Sequence, residues 1–219
     1  MSLLDILLEL GQGATFTILV TLVCSMTGLA VGLVFSSLYR LSIKSISFLI
    51  DIYTYIFRGV PVLVLLFMVY FGLPGIGIKP PPLIAMALSL GLVSGAYLTE
   101  VFRGAFDSVD PNEIIAAQAI GMSRIQVLRY IEIPQMLRFA IPGMVNEFTS
   151  VLKYSPFAYT VGIPEITKEA MILTANTLKG VEIYLSVGIL YFLIYRILLV
   201  GVQLIQKHYE IPGMKEASV

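Results

Sequence analysis

The side chains of this sequence that could do chemistry are few, and most lie among apolar neighbours. Arg58, Glu147 and Lys153 interrupt long apolar stretches, and Glu100 and Arg103 lie one helical turn apart at the end of another. No Ser/His or paired-aspartate constellation is apparent, so hydrolytic or acid–base catalysis has no carrier. One histidine, His208, and one cysteine, Cys24, leave no Cys/His metal set and no intrachain disulfide. Charged groups inside apolar segments are costly and by default mark a path or a partner. Asn146, Ser150 and Lys153 recur at i, i+4 and i+7, and Glu147, Ser150 and Tyr154 make an overlapping polar stripe. The stripe either mates with a second subunit's helix or lines a path on which Lys153 could meet a carboxylate. Arg58 either snorkels or pairs at an interface, or serves such a path beside the helix-breaking Gly59-Val60-Pro61. For Glu100 and Arg103 a local ion pair is the simpler reading.

The elements that must hold these groups are membrane spans. Of the 219 residues, 58 % are apolar and 13 % charged, with mean hydropathy +0.91. Soluble domains carry about a quarter charged residues, so much of this surface cannot face water. That excludes a soluble enzyme, a nucleic-acid binder and a disordered scaffold, and the formal net charge of +0 implies no polyanionic partner. About 20 apolar residues cross a bilayer. On that length, an all-α membrane protein with five spans is expected, at about 14–38, 48–74, 81–103, 139–163 and 183–206. The whole chain, 1–219, reads as a single transmembrane domain. The fourth span, holding Glu147 and Lys153, must face protein or water.

Basic residues orient the spans. Arg40, Lys44, Arg103, Arg124, Arg129, Arg138, Lys207 and Lys215 fall on one side, against Lys79, Lys168 and Lys179 on the other. The N-terminus is therefore expected outside and the C-terminus in the cytoplasm. The absence of a basic residue before Arg40 argues against a cleaved leader.

The inner loop, about 104–138, carries its own helix signals. Asp110 can cap, Pro111 suits the first helical position, and Glu113 sits three residues after the cap. A short helix over 112–120 then ends at Gly121, which fits a left-handed terminus. Ser123 with Gln126 starts a second helix, expected to run to a break at Ile133-Pro134. Ile114, Ile115, Ile120 and Met122 need a cover. Either the chain's own helix ends supply it or a soluble partner does, since Ala116, Ala117 and Ala119 permit close approach.

The stretch Ile115-Ala116-Ala117-x3-Gly121-x9-Ile131-x-Ile133-Pro134 resembles the E-A-A-x3-G-x9-I-x-L-P loop of ATP-binding-cassette importer permeases. It departs at Ile115 and Ile133, and Glu113 lies two residues before the missing acid. Arg58-Gly59-Val60-Pro61, Ala96-Tyr97-x2-Glu100-x2-Arg103-Gly104, Asn146-Glu147-Phe148, Leu152-Lys153 and Val161-Gly162-x-Pro164-Glu165 are similar to elements of the polar amino-acid uptake subfamily, which includes histidine, glutamine and arginine permeases.

The resemblance implies a membrane subunit of an ATP-driven amino-acid importer in a prokaryotic cell (inner) membrane. Its implied partners are a cytoplasmic ATP-binding-cassette ATPase, a second permease subunit (same or different chain) and an external amino-acid-binding protein. The short helix between the third and fourth spans would be the coupling helix, with Glu113, Ala116, Ala117, Gly121 and Arg124 at the ATPase. Arg58, Ser94, Tyr97, Asn146, Ser150, Lys153 and Tyr154 would lie along the substrate path. The chain has no phosphate-binding G-x-x-x-x-G-K-[ST] loop, so ATP and Mg belong to the partner and no cofactor is expected here. An ion-coupled secondary transporter or channel is the alternative. Relatives often carry polar residues where this chain has Val60, Leu65 and Val93, and an acid where it has Tyr154. That favours uncharged amino acids as substrates, or a partner permease chain that does the binding.

Overall fold

The computed structural model describes the backbone of residues 3–209 and the side chains of residues 5–201. Of the tail lysines used for orientation, Lys215 lies outside the described residues and Lys207 is described in its backbone alone. Among the described residues all regular structure is helical, with no strand.

Helix α1, Leu3–Arg40, has 38 residues and so runs about 57 Å. It contains no proline, and its threonines return their hydroxyls to the backbone one turn back: Thr17 to Gly13 O, Thr21 to Thr17 O and Thr27 to Val23 O. These hydroxyls are thereby satisfied within an apolar helix, whereas the buried Ser25 hydroxyl has no hydrogen-bond partner. A turn with Ser42 at φ 61 ends it.

Helices α2, Lys44–Gly59, and α3, Val62–Ile76, meet at a bend of 103°. The segment 48–74 is thus not one straight helix but a bent pair, the shape of a broken span or of a re-entrant loop. Pro61 is the cause, because its ring disfavours helical backbone at the preceding residue. Val60 is accordingly extended, at φ −97 and ψ 132.

Helix α4, Pro82–Phe106, is the centre of the fold and crosses α1 closely. A Cβ on Gly28 would stand 2.6 Å from Ser94 Oγ, and one on Gly32 would stand 2.7 Å from Leu98 Cβ. From the other side, a Cβ on Gly91 would stand 2.9 Å from Thr27 Cβ. Paired small-x3-small steps on both helices bring the backbones together, as membrane packing favours.

Helix α5, Pro111–Ala119, begins as its sequence predicts: the Asp110 carboxylate accepts from Asn112 N at 2.9 Å. Gly121 is left-handed, at φ 88. Ser123 and Gln126 form a reciprocal capping box. Helix α6 then runs through 124–154 without the expected break at Pro134. A wide π turn at Leu128–Glu132 immediately precedes that proline. The looser turn absorbs the ring's clash with the preceding turn and its missing N–H, so the helix continues.

A short 3-10 segment, Ser155–Val161, leads to α7, Ile166–Thr177, and α8, Gly180–Tyr209. The buried Glu165 carboxylate caps α7 through Thr167 N and Lys168 N, and accepts from Tyr191 Oη of α8 at 2.7 Å. Gly13 of α1 lies so close that a Cβ there would meet Ile166 N at 2.6 Å. The part of α1 before the expected span is thereby fixed to α7 and α8. Helices Asp5–Arg40, Pro82–Phe106 and Gly180–Gly201 are each long and apolar enough to span, and α2 with α3 makes a fourth candidate.

Candidate functional site

The α2–α3 break, α4 and α6 enclose a cavity of about 600 Å³. The break contributes Phe57, Arg58, Gly59, Val60, Pro61, Val62 and Leu63; α4 contributes Leu90, Val93 and Tyr97; α6 contributes Asn146, Glu147, Ser150 and Tyr154, with Phe157 beyond it. Arg58 sits about 21 Å along α2 from its Lys44 end, counting 1.5 Å per residue. Its guanidinium carbon lies 5.3 Å from the centroid of the Tyr97 ring. Among the described residues neither Arg58 nor Glu147 takes part in an ion pair. One cation and one carboxylate therefore face the same space without neutralising each other. Helix ends at the break add backbone groups that have no partner along their own helices.

Five of the seven residues expected on a substrate path line this cavity: Arg58, Tyr97, Asn146, Ser150 and Tyr154. Ser94 is fully buried beside the Glu147 carboxylate, and its hydroxyl lacks a hydrogen-bond partner of good geometry. Lys153 is elsewhere. It lines a separate groove with Leu152, Tyr191, Phe192 and Tyr195, its Nζ 5.8 Å from the Tyr195 ring centroid. Leu65 is also outside the cavity, whereas Val60 and Val93 belong to it. The charged group that the sequence placed only on the polar stripe, Glu147, supplies an acid here although Tyr154 does not.

In the inner loop, α5 presents Ile115 (62 % exposed), Ile120 follows its last residue (81 %), and Ile125 at the start of α6 is also exposed (68 %). Ala116 and Gly121 lie on the exposed side, while Ala117 is buried. Glu113 accepts a hydrogen bond from Gln135 Nε2 of α6. Arg124 is engaged inside the chain: Nη1 pairs with Glu132 at 2.8 Å and Nη2 donates to Arg40 O at 2.9 Å. Arg103 pairs with Glu100 and also with Asp51 of α2, and it lies 3.7 Å from the Tyr39 ring centroid. The pair is therefore one part of a junction of three helices.

Residues 28–210 match the family model described as the binding-protein-dependent transport system inner membrane component. The chain belongs to that family. The permease is 35 % identical over 193 residues to "Probable amino-acid permease protein YxeN" of Bacillus subtilis, covering 85 % of this chain and 86 % of that one. It is 33 % identical over 221 residues to the histidine/lysine/arginine/ornithine transport system permease protein HisQ of Escherichia coli, covering 95 % and 96 %. A chain from the crystal structure of an amino acid ABC transporter with histidines superposes with a TM-score of 0.83 and 29 % identity, over 95 % of this chain and 99 % of that one.

The protein is thus an inner-membrane permease subunit of an ABC amino-acid importer, not an ATPase, and the ion-coupled alternative is not favoured. Permeases of this family work with a cytoplasmic ATPase and a binding protein.

Proposed function

We propose that the cavity at the α2–α3 break is the point at which an amino acid is held during passage, and that α5 docks the ATPase. The observation that carries the first reading is the shared cavity of Arg58 and Glu147, neither of them in an ion pair among the described residues. A guanidinium is built to take a carboxylate in a two-point grip, and a carboxylate takes an ammonium. Together they fit the two charges of any α-amino acid. Phe57, Val60, Leu63, Leu90 and Val93 provide apolar walls for a side chain. With Glu147 committed to the α-ammonium, a cationic side chain finds no second carboxylate in this lining. Uncharged amino acids are therefore the favoured substrates.

The chain is read with five spans: α1, the broken α2–α3, α4, α6 and α8. Basic residues at the α1–α2, α4–α6 end support a cytoplasmic placement for α5, with the N-terminus outside. A second permease subunit would complete the path on the open side of the cavity. The exposure of three isoleucines in the inner loop, Ile115, Ile120 and Ile125, supports a protein partner for α5.

Uptake into proteoliposomes holding the purified complex tests the first reading. Vesicles with internal or external ATP are supplied with neutral, acidic and basic amino acids through the binding protein. Neutral amino acids are expected to accumulate only with ATP on the ATPase side. Preferred accumulation of arginine or lysine by a homodimer of this chain would overturn the substrate assignment.

Gly121→Asp tests the docking. Nothing lies within 4 Å of a Cβ there, so the cost is the backbone angle, φ 88. The undocked loop can relieve that strain by leaving the left-handed turn and must regain it to dock, so about 1–2 kcal/mol corresponds to about a tenfold loss of docked ATPase in a pull-down from detergent. Undiminished recovery of the ATPase would place its contact elsewhere.

A further inference from the structure

We propose that Glu132 is a positioning residue that clamps the inner loop to the end of α1, so that displacement of the loop is delivered to α1 and through it to the cavity. The proposal rests on the reading of α5 as the ATPase dock.

The Glu132 carboxylate is wholly buried, and both its oxygens are committed. Oε1 accepts from Arg40 Nε at 2.7 Å and Oε2 from Arg124 Nη1 at 2.8 Å. Arg124 closes the ring by donating from Nη2 to the Arg40 carbonyl at 2.9 Å. Arg40 also pairs with Asp107 at 3.3 Å, in the link between α4 and α5, and its guanidinium carbon lies 5.8 Å from the Phe106 ring centroid. The last residue of α1 and the start of α6 thus converge on one carboxylate, and Arg40 ties in the link before α5 through Asp107. Charge-assisted bonds of this kind are short and directional, and a buried charge held by two partners resists being pulled from either.

Glu132 is also the last residue of the π turn Leu128–Glu132, which re-aims the helix at that position. Without the wide turn, the residues that follow would keep a different phase relative to Arg40. From Arg40 the connection is rigid. Gly28 and Gly32 lock α1 against Ser94 and Leu98 of α4, and Val93 and Tyr97 beside them line the cavity. A second route, the Glu113–Gln135 hydrogen bond, joins α5 directly to α6. The clamp adds α1 and α4 to the body that moves.

Glu132→Gln keeps the shape and one acceptor but removes the charge both guanidiniums need. The complex of permease, ATPase and binding protein is reconstituted in proteoliposomes, and uptake and ATP hydrolysis are measured in the same vesicles. The expected result is retained ATPase that still hydrolyses ATP, with amino acid moved per ATP about tenfold lower, within the range by which coupled sites communicate. A purely structural role would lower the amount of complex and leave that ratio unchanged. Arg124→Lys keeps an ion pair but cannot reach both Glu132 and the Arg40 carbonyl, and its ratio should fall between the two. It decides the matter if Glu132→Gln does not assemble. An unchanged ratio with the ATPase retained, or failure of both variants to assemble, overturns the clamp. A wild-type complex that retains no ATPase overturns the docking reading instead.

Discussion

Replacing Arg58 with alanine is expected to lower ATP-driven amino-acid uptake by at least about tenfold while the ATPase stays attached. Arg58 is exposed in the single chain; once a bound substrate and a second subunit close the cavity over it, removing one partner of a desolvated, hydrogen-bonded charge pair costs about 2–5 kcal/mol, and each 1.4 kcal/mol is about a factor of ten. Arg58 stands far from the dock at α5, on the cavity side of the α2–α3 break. Its loss should therefore spare assembly and basal ATP turnover. Arg58→Lys restores a charge without the planar fork, so uptake recovers in part. Glu147→Gln is the complementary test: the amide still accepts a hydrogen bond from an ammonium but no longer balances its charge. Uptake of neutral amino acids should fall for both variants, and the double variant should lose less than the product of the two, because each acts on the same bound zwitterion. The readout is initial uptake rate in proteoliposomes at several substrate concentrations. Undiminished uptake by both single variants would take the cavity off the path.

How much of this site the sequence disclosed depended on how local its cause was. The start of α5 at Asp110-Pro111, the left-handed Gly121 and the Ser123–Gln126 box follow from a few neighbouring residues, and the structure has them where the spacing predicts. The break beside Arg58 was legible for the same reason, since Pro61 acts on the residue before it. Pro134 misled because a π turn just before it removes the conflict, and no residue type announces a π turn.

Lys153 and Glu147 exchange importance for a geometric reason. At about 100° per residue, Asn146, Ser150, Tyr154 and Glu147 share an arc of about 100°, and Lys153 falls just past its edge. That small angle is enough to turn Lys153 toward Tyr195 of α8 and leave Glu147 facing the cavity. Nor could the inner clamp be read from the chain. Arg40 and Glu132 are separated by 92 positions, and only packing brings them together.

The close crossing of α1 and α4 makes the sharpest stability prediction. A leucine at Gly32 must begin with a Cβ 2.7 Å from Leu98 Cβ, 3.2 Å from the Leu98 carbonyl carbon and 3.2 Å from Phe102 Cε2. Backbone is among those atoms, so rotamer changes alone cannot make room and the helices must part. Overpacking of this kind costs about 1–3 kcal/mol, and more where the neighbour cannot yield. Gly32→Leu should therefore lower the thermal midpoint of the detergent-solubilised permease and its monodisperse yield. Gly104→Ala, in the same α4 helix but with nothing within 4 Å of its Cβ, should change neither. Leu98→Gly removes the Cβ that stands 2.7 Å away, though not the carbonyl carbon at 3.2 Å, so combining it with Gly32→Leu should recover part of the midpoint, whereas Leu98→Gly alone leaves a cavity and destabilises. Recovery of the fold by the double variant with uptake still impaired would show that the spacing of α1 and α4 sets the position of Val93 and Tyr97 in the cavity as well as the stability. Full tolerance of Gly32→Leu would mean that the two helices do not approach this closely in the membrane.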